Sequence, residues 1–195
     1  MLLKQITISR VLGPLFLIDE IEEGDSENAN DLLLVLQHTY PQFFKKSIGW
    51  KLSIEEVEFL ILDAPRHSLQ VNLKSEFVCA QREHLRCCCP SACTIYQVLT
   101  IQHGFLLRHG TQFGALFIGY VDLQHHGEVL FFLGPLSELE RVAAKRVARN
   151  VGKRAIACEC TGREVHLREI MDPQDDLPTL RRRKRRRLDK AKIDS

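Results

Sequence analysis

The 195-residue sequence lacks the marks of a membrane-spanning or exported protein. It has no run of about 18 apolar residues, so no transmembrane helix is predicted. Residues 1–20 lack a charged start, a long apolar stretch and a small-residue cleavage site, so no secretory signal is predicted. Seven cysteines are an odd number, which favours reduced thiols in the cytosol or nucleus over a disulfide framework.

The hydrophobic pattern predicts a mixed α/β (α+β) chain built from two units. Residues 1–78 form a small N-terminal α/β unit, and 94–171 form a larger α/β unit with a mixed sheet. Between them lies a Cys-rich junction at 79–93. Residues 172–195 are acidic, then basic, and poor in apolar side chains, which predicts a disordered tail.

Two helix starts are marked by a Ser followed three residues later by a Glu, the spacing of a capping box. One precedes the helix predicted at 54–63 and the other precedes the helix predicted to run through residue 150. Apolar runs predict strands at 115–121, 128–133, 153–160 and 164–170. Arg108-His109-Gly110 is predicted as a turn.

The junction at 79–93 holds five of the seven cysteines and His84. Clustered thiolates and imidazoles are typical zinc ligands. However, Cys87, Cys88 and Cys89 are consecutive, and neighbouring side chains do not easily reach one tetrahedral centre. No C-x-x-C pair occurs there, so plain reduced thiols are favoured and no metal or other cofactor is predicted.

The segment GFLLRHGTQFGALFIGY at 104–120 resembles the catalytic domain of the tRNA-splicing (tRNA intron) endonuclease family. A His that opens an apolar strand follows as HGEVLF at 126–131, and RVARNVGKRAIAC at 146–158 matches the end of the family's helix and the strand beyond it. The segment LSIEEVEFL at 52–60 resembles part of the family's N-terminal domain. Three blocks in the family's order make the resemblance specific.

The resemblance implies a restriction-endonuclease-like catalytic domain and a metal-independent ribonuclease with a Tyr-His-Lys triad. Tyr120 would take the proton from the 2′-hydroxyl at the splice site, and His126 would protonate the departing 5′-oxygen. Lys153 would stabilise the pentacoordinate phosphate. The implied products are a 2′,3′-cyclic phosphate and a 5′-hydroxyl. Attack by an adjacent hydroxyl is intramolecular, so orientation supplies much of the acceleration.

Each triad residue also has a plain structural interpretation. Tyr120 could be a packed aromatic ring with a solvent-exposed hydroxyl. His126 could lie in a solvated turn. Lys153 could place its positive charge at the C-terminus of a helix, where the helix dipole favours it. His125 competes with His126, and the strand that follows favours His126. Two departures from the family pattern are Leu116, where an Asp is usual, and the short connection from Tyr120 to His126.

Eight Lys/Arg against two Glu give residues 141–168 a net charge of +6, which suits phosphate contacts. By resemblance, Arg146 and Arg168 would sandwich a bulged nucleotide at the partner subunit's active site; the alternative is a solvated basic helix face. The implied partners are precursor tRNA and other endonuclease subunits, catalytic and structural, or further copies of this chain. The last predicted strand, 164–170, is a dimer edge.

Two other functions are weighed against the catalytic subunit. One is a structural subunit of the same complex, in which the triad is present but silent. The other is a DNA-cleaving relative, which would need carboxylates for Mg²⁺. Val151 and Gly152 precede Lys153, so the acid expected two residues before that lysine is missing. This argues against the DNA-cleaving alternative.

The C-terminal end is strongly basic. Residues 181–195 carry nine Lys/Arg against two Asp/Glu, so residues 1–180 hold 18 of the 27 basic and 23 of the 25 acidic side chains. The run RRRKRRR at 181–187 fits a nuclear import signal, a tRNA-backbone arm or a solvated end. Nuclear import is favoured, and the predicted location is the nucleus.

Overall fold

The computed structural model describes residues 4–22, 50–67, 69–122, 125–162 and 164–170. Within these ranges the chain forms two mixed β-sheets and four α-helices. This confirms the predicted mixed α+β class. The predicted tail at 172–195 lies outside the described residues.

The first sheet contains four strands in the order β3-β2-β1-β4. Its strands are β1 Lys4–Leu12, β2 Leu15–Glu22, β3 Trp50–Leu52 and β4 Leu69–Leu73. β1 and β2 form an antiparallel hairpin, while β1 and β4 pair in parallel. Gly13 has a φ of 61° in the two-residue turn of the hairpin, a conformation that glycine adopts without a steric penalty.

Three helices follow the first strands: α1 Ile54–Asp63, α2 Glu76–Cys88 and α3 Pro90–Ile101. The predicted capping box of α1 is confirmed. Ser53 Oγ accepts a hydrogen bond from the Glu56 amide, and the Glu56 carboxylate accepts one from the Ser53 amide. The stretch predicted as a Cys-rich junction lies mostly within α2 and the first turn of α3.

The second sheet contains five strands in the order β5-β6-β7-β8-β9. They are β5 Leu106–His109, β6 Phe117–Tyr120, β7 Val129–Leu133, β8 Arg154–Thr161 and β9 Glu164–Glu169. Only the β7–β8 pair among them is parallel, and helix α4, Glu138–Asn150, connects these two strands. The predicted turn at 108–110 is wrong in part, because Arg108 and His109 lie in β5 and pair with β6.

A shared core joins the two sheets. Tyr96 of α3 is buried between rings from both units: its centroid lies 5.7 Å from that of Phe59 and 5.5 Å from that of Phe117. On the other face of the second sheet, α4 covers a separate cluster that includes Ala144, Ala148 and Leu130. The five-stranded sheet is therefore packed on both faces. None of the described helices is long and apolar enough to cross a membrane.

Candidate active site

The three residues of the predicted triad belong to one edge of the five-stranded sheet. β6 runs antiparallel to β7, whereas β8 runs parallel to it, with Val129 opposite both Gly119 and Arg154. The end of β6 and the starts of β7 and β8 therefore meet at this edge. Tyr120 is the last residue of β6, and Lys153 directly precedes β8.

Gly127 connects Tyr120 and Lys153. The Lys153 ammonium donates a hydrogen bond to the Gly127 carbonyl oxygen. A Cβ added to Gly127 would lie 3.1 Å from Cζ of Tyr120 and 2.5 Å from Cγ2 of Ile118. The backbone at Gly127 thus packs closely against the β6 strand and the Tyr120 ring, and its carbonyl oxygen accepts the hydrogen bond from Lys153.

Lys153 is positioned by the C-terminus of α4. Its amide donates to the Ala148 carbonyl oxygen at 2.8 Å, and Gly152 before it has a φ of 66°. Together they turn the chain from the helix into β8. The side chain is half-buried, which is consistent with its ammonium reaching the carbonyl of Gly127 rather than extending into solvent.

The two histidines of this edge differ in their surroundings. His125 is exposed, and its Nδ1 lies 2.7 Å from the Asp122 carboxylate, which also accepts from the His125 amide. His126 is exposed and directly precedes Gly127. Asp122 therefore holds His125 in a local turn, while His126 is covalently next to the residue that contacts Tyr120 and Lys153.

Arg108 of β5 was missed as a site residue because the sequence predicts a turn there. Its guanidinium carbon lies 5.7 Å from the centroid of the Tyr120 ring. The strand register explains the contact. Leu106 is opposite Tyr120 and Arg108 is opposite Ile118, so Arg108 is the diagonal neighbour of Tyr120 on the same sheet face.

Arg168 and Arg146 lie on different parts of the basic surface. Arg168 is exposed on β9 opposite Ala157, on the sheet face that α4 partly covers. Together with Arg141 of α4 it lines a small groove; Arg146 is exposed on the same helix but does not line this groove. The sequence did not predict Arg141 as a neighbour of Arg168. The pairing of β8 with β9 decides which residue of α4 lies beside Arg168, and that pairing is seen only in the fold.

A bidentate ion pair connects the start of β8 to the end of β9, next to Lys153. Arg154 Nε and Nη2 donate to the Glu169 carboxylate at 2.8 and 3.1 Å. The hydrogen bond from Arg154 lowers the pKa of Glu169 below its usual range and raises the pKa of Arg154. The charge of Arg154 is therefore largely balanced within the chain, whereas the ammonium of neighbouring Lys153 is bonded to a neutral carbonyl.

Two further features lie away from this edge. A mainly apolar groove of about 520 Å³ lies at the opposite end of the sheet, between α4 and the turn at Phe113-Gly114. The cysteines are all free, with Cys79, Cys87 and Cys88 exposed. The described residues contain no group of three or more His, Cys, Asp or Glu side chains arranged to hold a metal ion.

The structure brings Tyr120 and Lys153 to Gly127, and His126 is the neighbouring residue in the chain. Side chains of these three types can transfer protons and stabilise negative charge on a phosphate. Residues 90–166 match the family model of the tRNA intron endonuclease, catalytic C-terminal domain. The resemblance inferred from the motifs is therefore confirmed for residues 90–166, which are similar to the catalytic domain of that family. The match supports endonuclease activity in tRNA splicing. No curated protein matches the chain.

Proposed function

We propose that the chain is a catalytic subunit of a tRNA-splicing endonuclease that cleaves precursor tRNA without a metal ion, leaving a 2′,3′-cyclic phosphate and a 5′-hydroxyl. One observation carries the proposal. Within the matched domain, Tyr120 and Lys153 both contact Gly127, the residue next to His126. Packing that serves only stability gives no reason for a phenol and an ammonium group to meet at the residue that follows this histidine.

The reaction uses one proton acceptor, one proton donor and one cation. Tyr120 accepts the proton of the 2′-hydroxyl, whose oxygen attacks the adjacent phosphorus. The bond from phosphorus to the 5′-oxygen breaks, and His126 gives that oxygen a proton. An imidazole suits this step because it exchanges protons near neutral pH.

Lys153 supplies positive charge where the phosphate gains negative charge. An ammonium group has three donors, and one of them is held by the Gly127 carbonyl. This bond fixes the direction of the side chain and leaves donors for the non-bridging phosphate oxygens. A compact cation aimed in advance at the developing charge stabilises the transition state more than the bound substrate.

Arg146 and Arg168 are proposed to bind RNA rather than to take part in proton transfer. Both are exposed, and guanidinium planes stack well on unpaired bases. Acting at the active site of a partner subunit, they would hold a bulged nucleotide. The active complex would then contain further catalytic and structural subunits, or further copies of this chain.

The proposed location is the nucleus, because the basic run at 181–187 fits a nuclear import signal. Removal of residues 181–195 is expected to shift a fluorescent fusion from the nucleus to the cytoplasm while cleavage in vitro stays nearly intact. A fall in tRNA affinity together with a weaker salt dependence would show a phosphate-binding arm instead.

The triad is tested by cleavage of a precursor tRNA by the purified complex under single-turnover conditions. His126→Ala should slow cleavage by about 10²–10⁴-fold, the usual scale for losing a general acid, with little change in tRNA affinity. His125→Ala is the matched control, because Asp122 already binds that neighbouring imidazole. Normal cleavage by His126→Ala with loss in His125→Ala would show that the donor is misassigned.

Two further outcomes separate the competing functions. If neither histidine affects cleavage, the chain is a structural subunit. Wild-type cleavage should also persist in EDTA. Its loss there, with recovery on adding Mg²⁺, would favour a metal-dependent nuclease.

A further inference from the structure

We propose that Arg108 is a positioning residue for Tyr120: its guanidinium, held over the phenol ring, fixes the ring against Gly127. The inference deepens the proposed function, since it rests on Tyr120 being the proton acceptor. Its starting point is the 5.7 Å distance from the guanidinium carbon to the ring centroid, which is within the range of a cation–π contact.

The backbone sets up this contact. Arg108 and Tyr120 are diagonal neighbours on paired antiparallel strands, a separation that a long side chain spans. Strand alternation sends the next residue, His109, to the opposite face, where its ring lies 5.9 Å from Phe117 and its Nε2 lies 3.8 Å from the buried Glu55 carboxylate. β5 is therefore anchored on the side away from the site, and Arg108 is directed to the Tyr120 side.

The ring is confined from a second direction. The Gly127 backbone is so close that a Cβ there would lie 3.1 Å from the Tyr120 Cζ. Tyr120 is the last residue of its strand and half-buried, so strand pairing alone holds only its backbone. Arg108 and Gly127 together restrict the ring rotamer, which reduces the motion that must be frozen when the 2′-hydroxyl binds.

The charge of Arg108 matters as well as its bulk. A guanidinium stays protonated throughout the pH range in which an enzyme works, so its attraction for the ring is constant. The attraction between the cation and the ring face holds the ring in place, which an uncharged side chain of the same length would not do. Arg108 therefore positions Tyr120 without contacting the substrate.

Four variants of the full chain are used to test the proposal. Arg108→Met keeps most of the side-chain length and removes the charge, and Arg108→Lys keeps the charge. Arg66→Met removes an exposed arginine that pairs with Asp63 and lies outside the five-stranded sheet of the candidate active site, the catalytic sheet. The ¹³C-labelled tyrosine ring resonances are recorded for each protein, and Tyr120→Phe identifies the Tyr120 signal. Single-turnover cleavage at saturating precursor tRNA and tRNA affinity are measured in parallel.

Arg108→Met should move and broaden the Tyr120 resonance while the buried Tyr96 resonance stays in place, which also shows that the variant is folded. Cleavage should slow by about two- to thirtyfold with tRNA affinity unchanged. Arg108→Lys should recover part of the rate, and Arg66→Met should match the wild type in both measurements.

An unmoved Tyr120 resonance in Arg108→Met would overturn the proposal. So would a loss of tRNA affinity equal to the loss of rate, because Arg108 would then be a phosphate contact. Failure of the proposed function gives a different result: Tyr120→Phe would cleave normally, while the resonance would still report the contact with Arg108.

Discussion

Gly127 leaves no room for a side chain, and the site depends on that. A methyl group there would lie 2.5 Å from Cγ2 of Ile118 and 3.1 Å from Cζ of Tyr120, closer than carbon atoms pack. The backbone must then move away from β6 and carry His126 and the carbonyl that binds Lys153 with it. Gly127→Ala should therefore slow single-turnover cleavage by at least about tenfold and cost about 1–3 kcal/mol of stability.

Gly13→Ala separates these two effects. It strains a turn with positive φ in the first sheet, which costs about 1–2 kcal/mol, but it meets no neighbouring atom and lies outside the catalytic sheet. Its melting temperature should fall while its cleavage rate below that temperature stays normal. Equal loss of cleavage in both glycine variants would show that the rate merely follows stability.

The exposed and the buried cysteines should differ in their reactivity toward a thiol reagent. Burial raises the pKa of Cys93 and of Cys158 to about 12, so at pH 8 both are thiols rather than the reactive thiolates. A thiol reagent added to the native protein should label the exposed Cys79, Cys87 and Cys88 rapidly. Cys93 and Cys158 should react only after denaturation.

The pH dependence gives that prediction a second check. Labelling of Cys93 and Cys158 in the native state should stay slow up to about pH 10, because neither pKa is approached. The exposed Cys79, Cys87 and Cys88 should be labelled before the two buried cysteines at every pH in this range. Mapping the modified peptides by mass spectrometry decides the order; early labelling of Cys158 would show that β8 opens in the native state.

The sequence predicts individual residues of the candidate site only where a motif contains them. Tyr120, His126 and Lys153 are predicted from three spaced blocks. Arg108 and Gly127 are not, because a strand register and a close backbone contact decide their roles. Arg108-His109-Gly110 has a turn-like composition, yet pairing with β6 extends β5 through His109. Tertiary pairing overrode the local preference.

At the scale of elements, α1 has a buried cap that should be costly to remove. Ser53 and Glu56 are 5% and 3% exposed, and each bonds the other's backbone amide. Ser53→Ala removes the buried hydroxyl oxygen that accepts from the Glu56 amide, so it should cost about 1–3 kcal/mol in the free energy of unfolding. Chemical denaturation measures the loss.

Ser75→Ala is the comparison for that loss. Ser75 caps α2 through one bond to the Val78 amide at 3.3 Å, and the residue is exposed, so water replaces the lost acceptor. The cost there should be about 0.5–1 kcal/mol. A cost for Ser75→Ala as large as that for Ser53→Ala would mean that burial of the α1 cap adds nothing.

The helices whose sequences contain both a cap and an apolar stripe were predicted, whereas α2, which lacks the stripe, was missed. α1 and α4 both follow a Ser with a Glu three residues on, and both were predicted close to their observed bounds. α2 buries only Val78 among its 13 residues. It therefore has no apolar stripe for a periodicity argument to detect. Its packing against α1, including the Arg82–Glu58 ion pair, becomes visible only in the fold.

At the scale of the whole molecule, the two units share one core rather than meeting at a thin interface. One buried cluster extends from Ile6 and Phe16 of the first sheet to Phe131 and Cys158 of the second. Tyr96 fills the space between Phe59 and Phe117. Helix α3 therefore covers the face of the five-stranded sheet opposite α4 and connects it to the core of the first unit. Tyr120 and Lys153 lie half-buried at one end of this sheet.

The basic residues of the second unit should divide between two active sites in the assembled complex. Lys153 is bonded to Gly127 beside Tyr120, so it should act within its own site. Arg168 is exposed on β9, the outer strand of the sheet, and Arg146 is exposed on α4. Both are exposed, so they are proposed to act on the partner's site.

Lys153→Ala should stop cleavage at one splice site of a precursor tRNA. Arg146→Ala combined with Arg168→Ala should instead slow the other site by about five- to 150-fold, equivalent to about 1–3 kcal/mol per stacked base. Separate measurement of 5′- and 3′-site cleavage on one precursor decides between these assignments. Loss at the same site for all three substitutions would make the two arginines ordinary phosphate contacts of this subunit's own site.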